Sequence, residues 1–162
     1  MASLRAQFEG SPGTGDEGAA EPEGLGIEEW KAVTFSGTQL ADDAISGNLA
    51  DSDGDGRATI FEYLAGSSPL AYDAAPFFEM VMVSGGDEVR AVRWVQRRAQ
   101  EGVQFDLEIS QDLRVWTLVG DEVGARSATN LDSDREQITL QLNEISGARY
   151  LRGRATIGQA ID

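Results

Sequence analysis

Gln104-Phe105-Asp106-Leu107-Glu108-Ile109-Ser110 alternates apolar and polar residues without a fault. In an extended chain successive side chains point to opposite faces, so this spacing turns Phe105, Leu107 and Ile109 inward and Asp106, Glu108 and Ser110 outward to solvent. Ile138, Leu140 and Leu142 repeat the pattern. Working outward, the candidate strands are Phe77 to Val83, Val89 to Gln96, Gln104 to Ser110, Val115 to Val119, Gln137 to Leu142 and Arg149 to Ile157. The connections Ser84-Gly85-Gly86-Asp87 and Arg98 to Gly102 have hairpin length, so the first three strands read as an antiparallel meander. Short strands separated by turn signals predict a mostly β chain, an antiparallel β-sandwich over residues 76–158.

Before Pro76 the texture is different. Ile27 to Phe35 sets Ile27, Trp30 and Val33 or Thr34 on one side at helical spacing, with acids in the first turn and a Ser36-Gly37 stop. A weaker helix covers Gln39 to Ile45, and Ile60 to Ala65 reads as a short helix stopped by Gly66 and Pro69. Residues 27–70 are therefore a short helical segment that precedes the sandwich. Residues 1–26 are rich in Gly, Ala, Pro, Ser and acids with no apolar period, and are expected to be a flexible acidic tether.

Between the last two helices lies Asp51-Ser52-Asp53-Gly54-Asp55-Gly56-Arg57-Ala58-Thr59-Ile60-Phe61-Glu62. It matches an EF-hand-like calcium loop of twelve positions at each coordinating place. Asp51, Asp53 and Asp55 stand at positions 1, 3 and 5, and Gly56 at position 6 permits the sharp turn. Arg57 offers its main-chain carbonyl at 7, Thr59 its hydroxyl at 9, and Glu62 a two-oxygen carboxylate at 12. Alternate residues of a tight turn aim oxygens at one centre, and calcium accepts that irregular shell where magnesium asks for a smaller octahedron. A solvated Asp-Gly turn is the plainer reading, but four carboxylates in a dozen residues repel one another without a cation. Two features depart from a regulatory EF-hand. Position 8 is the small Ala58, and Ser46-Gly47-Asn48 makes a poor entering helix.

Asp51 to Leu70, DSDGDGRATIFEYLAGSSPL, resembles the DxDGDGxxNxxEYxxGxxP calcium segment of large secreted bacterial proteins, related to thrombospondin type 3 repeats and dockerin loops. Phe105 to Trp116 (FDLEISQDLRVW) and Ala148 to Thr156 (ARYLRGRAT) are similar to the β-module that often follows it. Thr59 stands where that family usually has Asn. The resemblance implies secretion or surface display, with a supporting or adhesive role.

The chain's 162 residues carry 28 acids and 13 bases, for a formal charge of −15, and contain neither Cys nor His. That composition removes His- and Cys-based catalysis and metal ligation, and it makes nucleic acid and anionic membranes poor partners. No P-loop, dinucleotide fingerprint or nucleophile elbow is present, and Asp106 and Glu108 share a strand face rather than framing a cleft. The expectation is a non-enzymatic module with Ca2+ as its cofactor, extracellular or on the cell surface, whose partners are other protein chains or copies of itself. MASLRAQFEG lacks a secretory apolar stretch, so a piece of a longer precursor and a cytosolic chain both remain open. The alternative is a calcium-dependent carbohydrate-binding module with Trp94 and Trp116 stacking on a glycan, although core anchoring is the more ordinary role for both. Trp30 is expected to dock its helix near the calcium loop. Asn130 to Glu136 is expected to be a polar loop rather than a second cation site. Arg90, Arg93, Arg97 and Arg98 are expected to pair with nearby acids rather than to form an anion site.

Overall fold

Past Pro76 the period-two segments are strands. The computed structural model describes residues 24–84, 88–120, 124–142 and 150–158. Seven strands follow one another: β1 (Phe78–Ser84), β2 (Glu88–Arg97), β3 (Val103–Ser110), β4 (Thr117–Leu118), β5 (Arg126–Asn130), β6 (Arg135–Gln141) and β7 (Tyr150–Ile157). They form one four-stranded sheet in the order β1-β2-β6-β5 and one three-stranded sheet in the order β4-β3-β7, with every pairing antiparallel. The expected mostly β, sandwich-like architecture is what the chain adopts.

The meander is not. Only β1 and β2 pair as expected; β6 takes the other edge of β2, and β3 crosses to the second sheet beside β7. A connection as short as Arg98 to Gly102 suits an arch between sheets as well as a hairpin, and length alone does not separate the two. The apolar faces decide. Val92 and Trp94 on β2 register opposite Leu140 and Ile138 on β6, and this face packs against Leu107. Strand β5 was not predicted, because Arg-Ser-Ala-Thr-Asn has no apolar alternation and lies exposed along its length at a sheet edge. The tether expected over residues 1–26 lies, up to residue 23, outside the described residues, as do Arg149 and the turn at 85–87.

Glu108 and Ser110 correct the outward reading of β3. Both are buried, at 5% and 4% exposure. Their face is the outer face of the small sheet, and β7 covers it: Arg152 registers opposite Glu108 and donates from Nε to Glu108 Oε2 at 2.6 Å, and Arg154 Nη1 lies 3.5 Å from Oε1. The Arg152 guanidinium stacks 4.1 Å from the Trp116 ring centroid. Trp94 is a core anchor as expected, but Trp116 belongs to neither core cluster and is half-buried on this outer face.

Ahead of the sheets stand α1 (Ile27–Thr34), α2 (Gly37–Leu40), α3 (Asp43–Ser46) and α4 (Thr59–Ala65). The single helix expected from Gln39 to Ile45 is split, because Asp42 accepts a hydrogen bond from the Ala44 N–H at 2.9 Å and starts a new turn. Gly66 ends α4 at φ 69°, a left-handed conformation that suits glycine. Ile27, Trp30, Ile60, Tyr63 and Leu64 pack with Val103, so the helices cap one end of the sandwich. Each such apolar side chain contributes ~1.5–3 kcal/mol when fully buried, whereas the Lys31–Glu28 pair, with Glu28 largely in solvent, is of the kind worth about 0–1 kcal/mol. Docking of the cap is therefore apolar. Polar bonds fix its pose: the Tyr63 hydroxyl donates to the Leu25 carbonyl at 2.7 Å and reaches the Glu101 carbonyl at 3.3 Å, and Arg97 Nε donates to the Tyr63 carbonyl at 2.8 Å.

Gly153 on β7 lies where the Phe105 ring leaves no room for a side chain. A Cβ there would stand 2.7 Å from the Phe105 ring and 3.3 Å from Phe78, whereas one at Gly120 would meet nothing within 4 Å. Gly153→Ala is expected to lower unfolding free energy by about 1–3 kcal/mol through overpacking, and Gly120→Ala to change it by less than about 0.5 kcal/mol. Urea denaturation of the two variants checks this.

Candidate metal centre

The Asp-rich loop joins α3 to α4. Two main-chain bonds close its mouth: the Thr59 N–H donates to the Ala50 carbonyl at 2.8 Å and the Ile60 N–H to the Asn48 carbonyl at 3.0 Å. Gly54 and Gly56 lie at φ 77° and 91°, a region in which a residue with a Cβ is strained, and so the chain curls around its own carboxylates. Asp51 accepts from the N–H groups of Gly54 and Gly56 at 2.9 and 3.0 Å. Asp53 Oδ1 accepts from the Asp55 N–H at 3.1 Å, and Asp55 Oδ1 from the Arg57 N–H at 2.7 Å. These bonds orient the three carboxylates, and one oxygen from each lies within 4.8 Å of the others.

Like charges gathered so closely call for a cation, and the polar bookkeeping of the site agrees. Asp53 Oδ2 is buried without a hydrogen-bond partner. The donors are carboxylate oxygens, the type a hard divalent ion takes. The residues present thus fit a cation such as calcium, held by Asp51, Asp53 and Asp55.

The remaining loop positions are arranged differently. Glu62 is 1% exposed on α4 and stands outside the tight Asp group. Its Oε2 accepts from the Ser67 hydroxyl, and its Oε1 lies 3.2 Å from Arg57 Nη1. Burial pushes the Glu62 carboxyl above the usual range, the Ser67 bond and Arg57 pull it back, and Asp55 and Asp53 add to the rise. Thr59 is fully buried and its hydroxyl donates to the Ala50 carbonyl at 3.0 Å, so it helps to close the loop. Arg57 was expected to matter through its carbonyl alone, yet its side chain is buried and donates to Ser67 Oγ at 3.0 Å and to the Ala75 carbonyl. Asp73 joins the same group, its N–H donating to Asp55 Oδ2 at 3.2 Å. Ser67, Asp73 and Ala75 carry no spacing signal that would have marked them.

Most of the other candidates have structural partners. Trp30 packs its ring 5.5 Å from that of Tyr63 on α4, beside the loop as expected. Of the four arginines expected to pair with acids, Arg93 alone does so among the described residues, with Glu79 at 3.7 Å; Arg98 reaches the Ser133 carbonyl, Arg97 stacks over Tyr63 and Trp30, and Arg90 lies exposed. Of the polar loop expected over Asn130 to Glu136, Leu131 to Asp134 form the turn between β5 and β6, while Asn130 closes β5 and Arg135 and Glu136 open β6. Within it Asp132 accepts from the N–H groups of Asp134 and Arg135 and pairs with the Arg135 guanidinium at 2.7 Å. Among the described residues no helix is long and apolar enough to cross a membrane. No known protein family, characterised protein or solved structure matches the chain.

The Arg135 guanidinium, with the turn amides, holds the Asp132 carboxyl below its ordinary value. A carboxyl lowered on folding contributes stability above its unfolded value of about 3.9 and loses it as pH falls through the lower folded value. Asp132→Asn is therefore expected to flatten the fall of melting temperature below about pH 4 without altering calcium binding. Thermal unfolding between neutral and acid pH reads the first effect, and calcium titration reads the second.

Proposed function

We propose that this chain is a non-enzymatic, calcium-stabilised structural or interaction module of a secreted or surface-displayed protein. One observation carries the reading: three Asp carboxylates drawn together by two left-handed glycines, with the buried Asp53 Oδ2 lacking a hydrogen-bond partner. Location rests on the resemblance of Asp51 to Leu70 to calcium segments of secreted bacterial proteins. Rigidity is the benefit that a cation offers here. The loop lies between the α1–α3 cap and α4, and α4 is packed on β2 and β3 through Tyr63, Leu64 and Ile60. A cation that binds only the folded loop stabilises it by mass action, about 2.7 kcal/mol at one hundred times its dissociation constant. At millimolar extracellular calcium a modest site is filled, which suits a stiffened junction better than a sensor.

Assembly with another chain, or with a second copy, would use the sheet edges. Strands β1 and β7, of seven and eight residues, each lie at the edge of a sheet. The glycan alternative loses one of its two stacking residues, because Trp94 is buried in the sandwich core at 6% exposure.

Calcium is expected to raise the melting temperature over that in chelator, and Asp53→Asn combined with Asp55→Asn to abolish the difference. Differential scanning calorimetry tests this. Equal melting temperatures for the wild-type chain in calcium and in chelator would remove the basis of the proposal.

A further inference from the structure

At position 7 of a calcium loop only the main-chain carbonyl faces the ion, which leaves the side chain free for another task. Here that side chain is a guanidinium, and it is buried, with 8% of its surface exposed. It lies 3.2 Å from Glu62 Oε1 and 3.6 Å from Asp73 Oδ2, and it donates to Ser67 Oγ and to the Ala75 carbonyl. Each of these partners is part of α4 or of the segment leading from it toward β1. Glu62, 1% exposed, has no other positive charge recorded within ion-pair distance among the described residues.

We propose that Arg57 is a built-in competitor for the divalent cation: it neutralises Glu62 when the loop is ion-free and thereby sets the affinity of the site low. The inference rests on the calcium reading given above. The physical argument has two parts with one sign. A Glu62 carboxylate that turned toward Asp51, Asp53 and Asp55 would have to leave Arg57 and Ser67, or divide itself between guanidinium and ion. A fixed positive charge 3.2 Å from Glu62 Oε1 also opposes a second one brought to the same carboxylate. The benefit falls on the ion-free state. Without Arg57 the Glu62 carboxylate would be a buried charge with no counter-charge, a costly arrangement, and the loop would lose its bonds to Ala75 and Asp73. Arg57 thus keeps the cap, α4 and the approach to β1 joined at low calcium, and narrows the gap in stability between the ion-free and ion-loaded states.

The test compares the full-length wild-type chain with R57M, which keeps the length of the side chain, and R57K, which keeps its charge. Calcium alone is the probe, by isothermal titration calorimetry and by thermal unfolding in chelator and in calcium. R57M is expected to bind calcium about tenfold more tightly, the size of effect one nearby charge has on an ionising group. It is also expected to melt lower in chelator and to gain more from calcium than wild type. R57K should stay near wild type in affinity. Where R57M is unfolded in chelator, calcium-driven folding followed by circular dichroism gives its affinity instead, and failure to fold at any calcium concentration overturns the proposal. Affinity in R57M equal to or weaker than wild type overturns it, as does R57K binding as tightly as R57M. A wild-type chain that binds no calcium removes the metal reading itself, a distinct failure that takes this inference with it.

Discussion

Negative charge that cannot disperse is the constraint on which the cap depends. Asp51, Asp53 and Asp55 are turned toward one another by a backbone that offers their carboxylates its own N–H groups, and Glu62 is held beneath α4 with almost no access to water. Neutralising such a group by burial alone raises its pKa, and neutralising it by a partner requires a cation. The chain supplies one cation itself, in Arg57, and the Asp group is the place where the proposal puts another. Because Glu62 sits on the helix that carries Ile60, Tyr63 and Leu64 into the core, its charge balance and the docking of the cap are one problem.

The β-module solves its own polar problem by a different route. Glu108, on the outer face of the small sheet, is covered by Arg152 and Arg154 from the neighbouring strand, and Trp116 lies against Arg152. Cap and module are then joined at Tyr63 and Arg97, where hydroxyl, carbonyl and guanidinium connect α4 to the segment before α1, to β2 and to the β2–β3 connection. Loop, helix and sheet are therefore in series, so a cation held at Asp51 to Asp55, as proposed above, would act on the sandwich through α4.

Much of this was legible in the residues, and the exceptions have physical reasons. The period-two stretches gave the strands, since burial on one face demands alternation, and Phe105 and Leu107 point inward as that demand requires. The Asp and Gly spacing marked the tight turn that gathers Asp51, Asp53 and Asp55, because oxygens at alternate positions and a left-handed turn are needed together. Sheet pairing was legible only for β1 and β2, because a five-residue connection suits both a hairpin and an arch, and β3 took the arch. Strand β5 escaped because an exposed edge strand has no apolar face to betray it. The cover over Glu108 and the reach of Arg57 to Ala75 escaped for a common reason: both depend on residues far along the chain, brought near only by the fold.

The most direct test of the account is an amide NMR titration of the intact chain with calcium. The Gly54 and Gly56 N–H groups donate to Asp51 and so report on the carboxylates that would hold the ion. The account predicts saturable shifts at Gly54 and Gly56 that extend to Arg57 and Asp73, with the amides of β5 unmoved. Amides of the loop that stay in place at millimolar calcium would contradict it.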